Sequence, residues 1–211
     1  QCATSMQSPE RKELSSIQIF KPQSTTLANG IDMKSRSIGD HPVSRLDIIF
    51  EGGRCDGRNQ TVSEMLSAIL REGTTSLNAQ EIAEALDYHG AWLGCDASSH
   101  NATLSLYSLN RNFEKVVPIL ADIVMNPSFP EQELSNLKSL AANRLRINRQ
   151  KVAFLAMETF ARLHFGEGSN LGKVVSENDI ESITTEELSK FHKQWFAPQN
   201  MSVILSGKVE G

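Results

Sequence analysis

The order of strand-like and helix-like patterns constrains the fold of this chain more than any other feature. The turn signal Asn29-Gly30 predicts an early hairpin, and alternating or β-branched runs predict strands over 46–50, 91–97, 102–108 and 201–205. Helical periodicity and capping signals predict helices over 61–74, 78–90, 112–125, 130–150, 152–165 and from Thr184 onward, where Glu187 completes a capping box. Because these elements do not alternate as βαβ units, we expect an α+β fold with a mixed or antiparallel sheet covered by helices.

The start of the chain predicts a flexible leader over 1–15, followed by a single domain over 16–211 that opens with a short strand over 17–20. The chain does not begin with Met and has no apolar signal core, so we expect either that a leader was removed or that the chain is a piece of a longer protein. Localisation stays open on this basis, with the cytoplasm favoured over the periplasm or the cell envelope.

Composition excludes several classes of function. The hydrophobic share of 39% and the charged share of 22% are typical of a soluble globular protein. No apolar run approaches the roughly 20 residues of a membrane span, and the net charge of -4 gives no reason to expect nucleic acid or a membrane surface as partner. The three cysteines, Cys2, Cys55 and Cys95, form no C-x-x-C pair, so neither a cysteine-rich zinc site nor a disulfide framework is expected.

The helix over 61–74 is the most informative for function. Its apolar residues recur at helical spacing and predict one buried stripe made of Val62, Met65, Leu66, Ile69 and Leu70. Thr61 with Glu64 predicts a capping box, and Gly73 predicts the C-terminal end of the helix. The opposite stripe consists of Glu64, Ser67, Ala68 and Arg71.

Six landmarks recur in a characteristic order: Leu27-Ala28-Asn29-Gly30-Ile31, Phe50-Glu51-Gly52-Gly53, Glu72-Gly73-Thr74, the run 81–87 with Gly90-Ala91, the run 120–124 with Asn126-Pro127, and Asn200-Met201 through Val209. In order and spacing they resemble the pitrilysin/insulinase family of zinc metallopeptidases, which includes the mitochondrial processing peptidases. The resemblance spans 27–209. It implies that this chain is the first of two blocks that form one lobe, in an architecture where two lobes face each other around a peptide-sized chamber.

The resemblance also implies where a metal site would lie. The family carries an inverted zinc motif, H-x-x-E-H, in which two histidines four residues apart bind the metal and a glutamate activates water. Aligned through Glu72-Gly73-Thr74, the first histidine falls on Glu64, the catalytic glutamate on Ser67 and the second histidine on Ala68. Neither a serine hydroxyl nor a methyl group can perform those tasks unaided.

The third ligand of the family, a glutamate on the long helix, falls near Asn143 and Arg144. No Asp or Glu occurs between Glu133 and Glu158, so a small shift of the alignment does not restore it. We therefore predict no catalytic residue, no metal ligand and no bound cofactor in this chain, and expect zinc in an active partner.

Other candidates for chemistry are weaker. The histidines offer no i,i+4 pair; they are His41, His89, His100, His164 and His192. Cys55 follows Arg54, which could activate a thiol, but a loop cysteine without catalytic duty is the favoured interpretation. The basic residues Arg111, Arg144, Arg146 and Arg149 are interpreted as a solvated face. The pairs Gly52-Gly53 and Gly166-x-Gly168 lack the spacing of a phosphate-binding loop.

These observations predict a non-catalytic subunit or half of a pitrilysin/insulinase-type zinc metallopeptidase. It would complete the peptide-binding chamber of an active partner. The expected partners are a zinc-bearing pitrilysin-like subunit or second half, forming a dimer, and unfolded peptide. Two alternatives stay open: an active zinc-dependent endopeptidase with a displaced metal site, and a purely structural assembly subunit.

Overall fold

A computed structural model describes residues 21–58 and 60–208, so the predicted leader and the predicted strand over 17–20 lie outside the described residues. One six-stranded sheet is built from β1 (Gln23–Thr26), β2 (Asp32–Ser37), β3 (Val43–Phe50), β4 (Trp92–Ala97), β5 (Ala102–Leu109) and β6 (Met201–Gly207). The strand order is β1-β2-β6-β3-β5-β4, with β2 and β6 parallel and the other neighbours antiparallel. The predicted α+β class with a mixed sheet is confirmed.

The helices of the described chain are α1 (Thr61–Ile69), α2 (Ala79–Tyr88), α3 (Asn110–Met125), α4 (Glu131–Arg149), α5 (Val152–Phe165), α6 (Glu177–Glu181) and α7 (Thr185–Trp195). All but α6 were predicted near these positions. The sequence analysis missed α6 because five residues are too few for a periodic pattern. Its signal was a capping box, in which Ser176 accepts from the amide of Asp179 and the Asp179 carboxylate accepts from the amide of Ser176.

The β1–β2 hairpin forms where the turn residues predicted it. Leu27 and Ile31 are joined by a backbone hydrogen bond of 2.8 Å, and Gly30 has a φ of 83°. Glycine reaches that backbone region without steric cost. The positive φ of Gly30 therefore explains why the Asn29-Gly30 pair predicts a turn at this place.

The hydrophobic core lies between one face of the sheet and the helices. Alternate residues of β3 and β5 point to this face, and Phe50, Leu104 and Leu106 are fully or almost fully buried there. The opposite face of the same strands is polar, since Arg45 and Asp47 form an ion pair and Ser105 donates to the Asp47 carboxylate. The alternation therefore assigns the helical layer to one side of the sheet.

The connection from β3 to α1 requires two glycines. A Cβ on Gly52 would approach the Trp195 Cβ to 2.7 Å, and a Cβ on Gly53 would lie 2.4 Å from the backbone carbon of His100. The pair therefore serves close packing of this connection against α7 and the turn between β4 and β5.

One predicted helix boundary and one predicted capping box are wrong in detail. The helix α1 ends at Ile69, four residues before the predicted stop at Gly73, because Gly73 and Thr74 instead form bridges with Asn78 and Pro127. At α7, Thr184 accepts from the amide of Glu187 as predicted, but the Glu187 carboxylate pairs with Arg58 at 2.6 Å and does not return to the cap. At both positions a residue that is distant in sequence, Pro127 at Thr74 and Arg58 at Glu187, replaces the predicted local interaction.

Among the described residues, no helix has the length and apolar character needed to cross a membrane.

The imidazole of His192 links α7 to the end of α3. Its Nε2 lies 2.8 Å from the carbonyl oxygen of Val124, and the ring contacts those of Phe129 and Phe196. Burial lowers the pKa of His192; the hydrogen bond to Val124 opposes this shift and the charge of Lys193 adds to it.

Stability should therefore fall as the pH falls below the ordinary histidine pKa of about 6.5, because the unfolded state then binds a proton more readily than the folded state. Replacing His192 with Gln, which can still donate to Val124, should reduce the loss of unfolding free energy between about pH 7.5 and pH 5.5 in urea titrations. The exposed His164→Gln provides the control and should behave as the wild type. Equal losses in wild type and H192Q would contradict the assignment.

Candidate functional site

The helix α1 is held by contacts on several sides. It packs against β4, β5, α4 and α7, and every residue of its predicted apolar stripe is buried. At its first turn the Ser63 hydroxyl donates to the carbonyl oxygen of Gly52 over 2.7 Å. These contacts fix the rotation of the helix and hence the directions of the three residues aligned with the zinc motif.

Glu64, aligned with the first histidine, points toward the loop that precedes the helix. Its carboxylate lies 3.2 Å from Nη1 of Arg54, and its side chain is half exposed. The predicted capping box with Thr61 is wrong, since the N-cap residue is Gln60 and it makes no side-chain cap hydrogen bond. An exposed ion pair of this kind contributes roughly 0–1 kcal/mol to stability. The Glu64 carboxylate therefore has a partner, but one that binds it only weakly.

Ser67 and Ala68 occupy the positions of the general base and the second histidine. Ser67 is buried at 3% exposure, and its hydroxyl oxygen has no hydrogen-bond partner among the described residues. Ala68 is half-buried and carries no donor atom. Neither side chain can bind a metal or activate water here, because one is sealed in the core without a base beside it and the other is a methyl group.

The positions aligned with the distant glutamate lie on the outer side of α4. Asn143 and Arg144 are both exposed, and the Asn143 side-chain oxygen accepts from Arg146 over 3.0 Å. Arg146 and Arg144 are solvated, as predicted for this group of arginines, although Arg149 is half-buried.

The acids that reach α4 from later helices are already paired. Arg146 donates to Glu177 on α6, and this hydrogen bond lowers the pKa of Glu177. Arg149 lies 3.5 Å from Glu158 on α5 and also donates to the carbonyl of Val175. The carboxylates of Glu158 and Glu177, which could otherwise replace the missing metal ligand on α4, are therefore already paired with arginines.

Within residues 21–58 and 60–208, no group of three or more His, Cys, Asp or Glu side chains is placed to hold a metal ion. The histidines have other surroundings: His192 is packed between α7 and α3, and His164 stacks on Phe160.

Cys55 lies in a loop that is paired with the turn between β4 and β5. Its amide donates to the carbonyl of Ser99, and the amide of Arg54 donates to that of Ser98. Burial raises the pKa of the Cys55 thiol and the charge of Asp56 raises it further, against the opposing charge of Arg54. A nucleophilic cysteine requires the reverse shift, so the structure favours the interpretation of Cys55 as a loop residue.

The strand β4 is a feature that the sequence analysis did not single out. It lies at the end of the strand order and pairs only with β5 in the described sheet, so one row of its backbone groups has no partner strand there. On the face away from the helices, the exposed ring of Trp92 contacts that of Tyr107 with centroids 5.4 Å apart. A Cβ on Gly94 would lie 2.6 Å from this ring, so glycine permits Trp92 to lie over the strand. An open edge of this kind can accept an extended peptide as an additional strand.

The sequence of this chain is similar to one known protein family and to several characterised proteins. The sequence model of the insulinase family, peptidase family M16, matches residues 41–165. The chain is 24% identical over 182 residues to the mitochondrial cytochrome b-c1 complex subunit 2 of Yarrowia lipolytica, covering 86% of this chain and 43% of that protein. It is 25% identical over 196 residues to the mitochondrial-processing peptidase subunit beta of Neurospora crassa, covering 90% of this chain and 40% of that protein.

Solved structures show the same fold. The crystal structure of a peptidase M16 inactive domain from Pseudomonas fluorescens superposes with a TM-score of 0.84 at 25% identity, covering 90% of this chain and 47% of that chain. Pitrilysin superposes with a TM-score of 0.76 at 16% identity, covering 90% of this chain and 21% of that chain. The chain thus spans less than half the length of each of these relatives.

The environment of Ser67 generates a stability prediction. Ser67→Ala removes a buried hydroxyl without a partner and improves helix propensity, so the free energy of unfolding should rise by about 0.5–1 kcal/mol. Ser63→Ala, on the same helix, is the matched control: it removes the hydrogen bond to Gly52 and should lower stability by about 1–2 kcal/mol. Urea titrations measure both changes. A destabilised S67A protein would show that the hydroxyl has a partner after all.

Proposed function

Since this chain belongs to the insulinase family, peptidase family M16, we propose that it is a non-catalytic domain of that family. It binds extended peptide and completes the peptide chamber of a zinc-bearing partner domain. The observation that carries the proposal is the state of the aligned metal site, where Glu64, Ser67 and Ala68 stand in place of the two histidines and the general base, and Asn143 and Arg144 stand in place of the distant glutamate.

The replacement extends beyond the loss of ligands. Ser67 is buried in the core, and the Glu64 carboxylate already has Arg54 as a partner. On α4, arginines pair with Glu158 and Glu177. A metal ion placed between these helices would meet positive charge and apolar groups, which disfavours a dication.

The open edge of β4 supports peptide binding. Addition of a strand satisfies backbone groups without requiring a particular side-chain sequence, which suits a domain that receives unfolded peptide. Trp92 adds an exposed apolar platform beside this edge, and Asp96 on the same strand places a carboxylate on the same face.

The lengths of the relatives support a partner domain. Each of the four relatives has more than half of its own chain outside the region that this chain matches. One of the solved chains is described as an M16 inactive domain. A non-catalytic domain that acts beside a second domain is consistent with both observations.

A purely structural role in an assembly is the second candidate, favoured by the similarity to a subunit of the cytochrome b-c1 complex. Copurification from the native source distinguishes the two. A partner that carries H-x-x-E-H supports the chamber role, whereas a stable assembly without such a protein supports the structural role.

Metal analysis tests the loss of the zinc site. After equilibrium dialysis against zinc, we expect the wild type to retain less than about one tenth of an equivalent by mass spectrometry. The double variant Glu64→His/Ala68→His, which places two imidazoles four residues apart, is the matched positive control and should retain more. One equivalent in the wild type, lost in Glu64→Gln, together with cleavage of unfolded peptide, would refute the non-catalytic assignment.

A backbone methylation scan tests the β4 edge. The probe is a fluorescein-labelled peptide of about ten residues that alternates threonine, which is enriched in strands, with lysine, whose like charges repel one another and extend the chain. In strand addition, amides at alternate positions point toward β4, so N-methylation should weaken binding at every second position and have little effect between them. Fluorescence anisotropy measures the affinities. A uniform loss, or no loss, would indicate that the peptide binds elsewhere or through side chains alone.

A further inference from the structure

Two charged side chains beside the β4 edge have no charged partner in the described structure. Arg71 follows the last turn of α1, and Asp96 lies on β4. Both residues are exposed, and neither side chain forms an ion pair or a hydrogen bond among the described residues. Glu72 follows Arg71 directly, but it lines a separate pocket with Pro130. An unpaired charge beside an open strand edge can select the peptide that adds to that edge.

Asp96 lies on the outer face of the sheet, the face away from the helices. Side chains alternate along a strand, so Asp96 shares this face with Trp92, whose ring is 59% exposed. The charges of Arg45 and Asp47, farther from the edge, cancel in an ion pair of 2.8 Å. The outer face beside the edge therefore offers one unpaired carboxylate and one exposed aromatic ring, and both attract cations.

Arg71 lies on the helix side of the same edge. The helix α1 packs on β4, and Arg71 follows Glu64 by seven residues, or about two helical turns, so both lie on the exposed side of α1. Burial raises the pKa of the Cys95 thiol on β4 to about 12, and the nearby charge of Arg71 opposes this shift. Because Arg54 already pairs with Glu64, the guanidinium of Arg71 is the charge left over on this side.

A strand added to β4 would place consecutive side chains on these two faces. Its residues would lie about 4.8 Å from those of β4, and residues directly opposite each other share a face. The peptide residue opposite Cys95 would point to the helix side near Arg71, and its neighbour opposite Asp96 would point to the outer face. A peptide that matches both charges therefore has an acidic residue beside a basic one.

We propose that the β4 edge selects extended peptides in which acidic and basic residues alternate, with acidic side chains toward α1 and basic side chains toward the outer face of the sheet. This inference rests on the proposed function, since it requires that peptide adds to β4. It gives that function a substrate class. Backbone hydrogen bonds supply the part of the affinity that is independent of sequence, whereas Arg71 and Asp96 determine specificity.

Peptides of equal composition and different order test the selection by fluorescence anisotropy. Both probes are fluorescein-labelled and about ten residues long; one alternates glutamate and lysine, and the other repeats Glu-Glu-Lys-Lys. Only the alternating peptide can direct all acidic side chains to one face and all basic side chains to the other. The wild type should bind it about three- to fivefold more tightly at low ionic strength. The difference should shrink at about 0.5 M salt, because salt screens exposed charges.

Two variants assign the charges to their faces. The probes are then peptides that alternate threonine with glutamate, or threonine with lysine. Arg71→Gln should weaken binding of the threonine–glutamate peptide and leave that of the threonine–lysine peptide unchanged, and Asp96→Asn should do the reverse. Arg111→Gln, which removes an exposed arginine from α3, is the matched control and should change neither affinity. Circular dichroism checks that each variant is folded.

The outcomes separate this inference from the proposed function. Equal affinity of the wild type for the two glutamate–lysine peptides would overturn charge selection, even if the methylation scan shows strand addition at β4. The same holds for an order preference that persists in both variants, or for an equal effect of Arg111→Gln. If no peptide binds, peptide binding itself fails and the inference fails with it.

Discussion

Burial of the apolar stripe of α1 is the constraint on which the rest of the structure depends. Leu66, Ile69 and Leu70 have no exposed surface, and each such side chain contributes roughly 1.5–3 kcal/mol when removed from water. The stripe packs against β4 and β5 on one side and against α4 and α7 on others. Rotating α1 to present a different face would expose these groups, so the direction of every other residue on the helix follows from their burial.

That fixed rotation explains the state of the aligned metal site. Glu64 points to Arg54, Ser67 points into the core and Ala68 is half-buried. On α4 the corresponding region is basic, and its arginines pair with acids from α5 and α6. The scaffold of the M16 family is therefore retained, while the nearby carboxylates pair with arginines and a serine and an alanine stand at two of the positions aligned with the zinc motif.

Two surfaces of the domain are left incomplete. The edge of β4 has backbone groups without a partner strand in the described sheet, and α5 exposes large apolar side chains such as Val152 and Leu163. The two surfaces differ chemically, because an open strand edge offers hydrogen bonds to an extended chain whereas exposed apolar side chains offer only apolar contact. Both are consistent with a domain that functions beside other protein, as the greater length of the relatives suggests.

The sequence by itself determined the elements whose signals are local. The Asn29-Gly30 hairpin and the Asn78–Glu81 capping box formed as predicted, because their residues interact within four positions. The family and the fold class were also accessible, since these depend on patterns along the chain.

Only the tertiary structure decided which surfaces those elements present. The partner of Glu64 is ten residues away, and the arginine that draws Glu187 from its cap is 129 residues away, distances at which no local pattern predicts contact. The position of β4 at the sheet edge depends on the last strand, β6, inserting between β2 and β3. Periodicity identified α5 as a helix but could not show which side faces outward. Apolar residues occur around much of its circumference, and only the tertiary structure shows that Phe154, Glu158 and Ala161 are its half-buried residues.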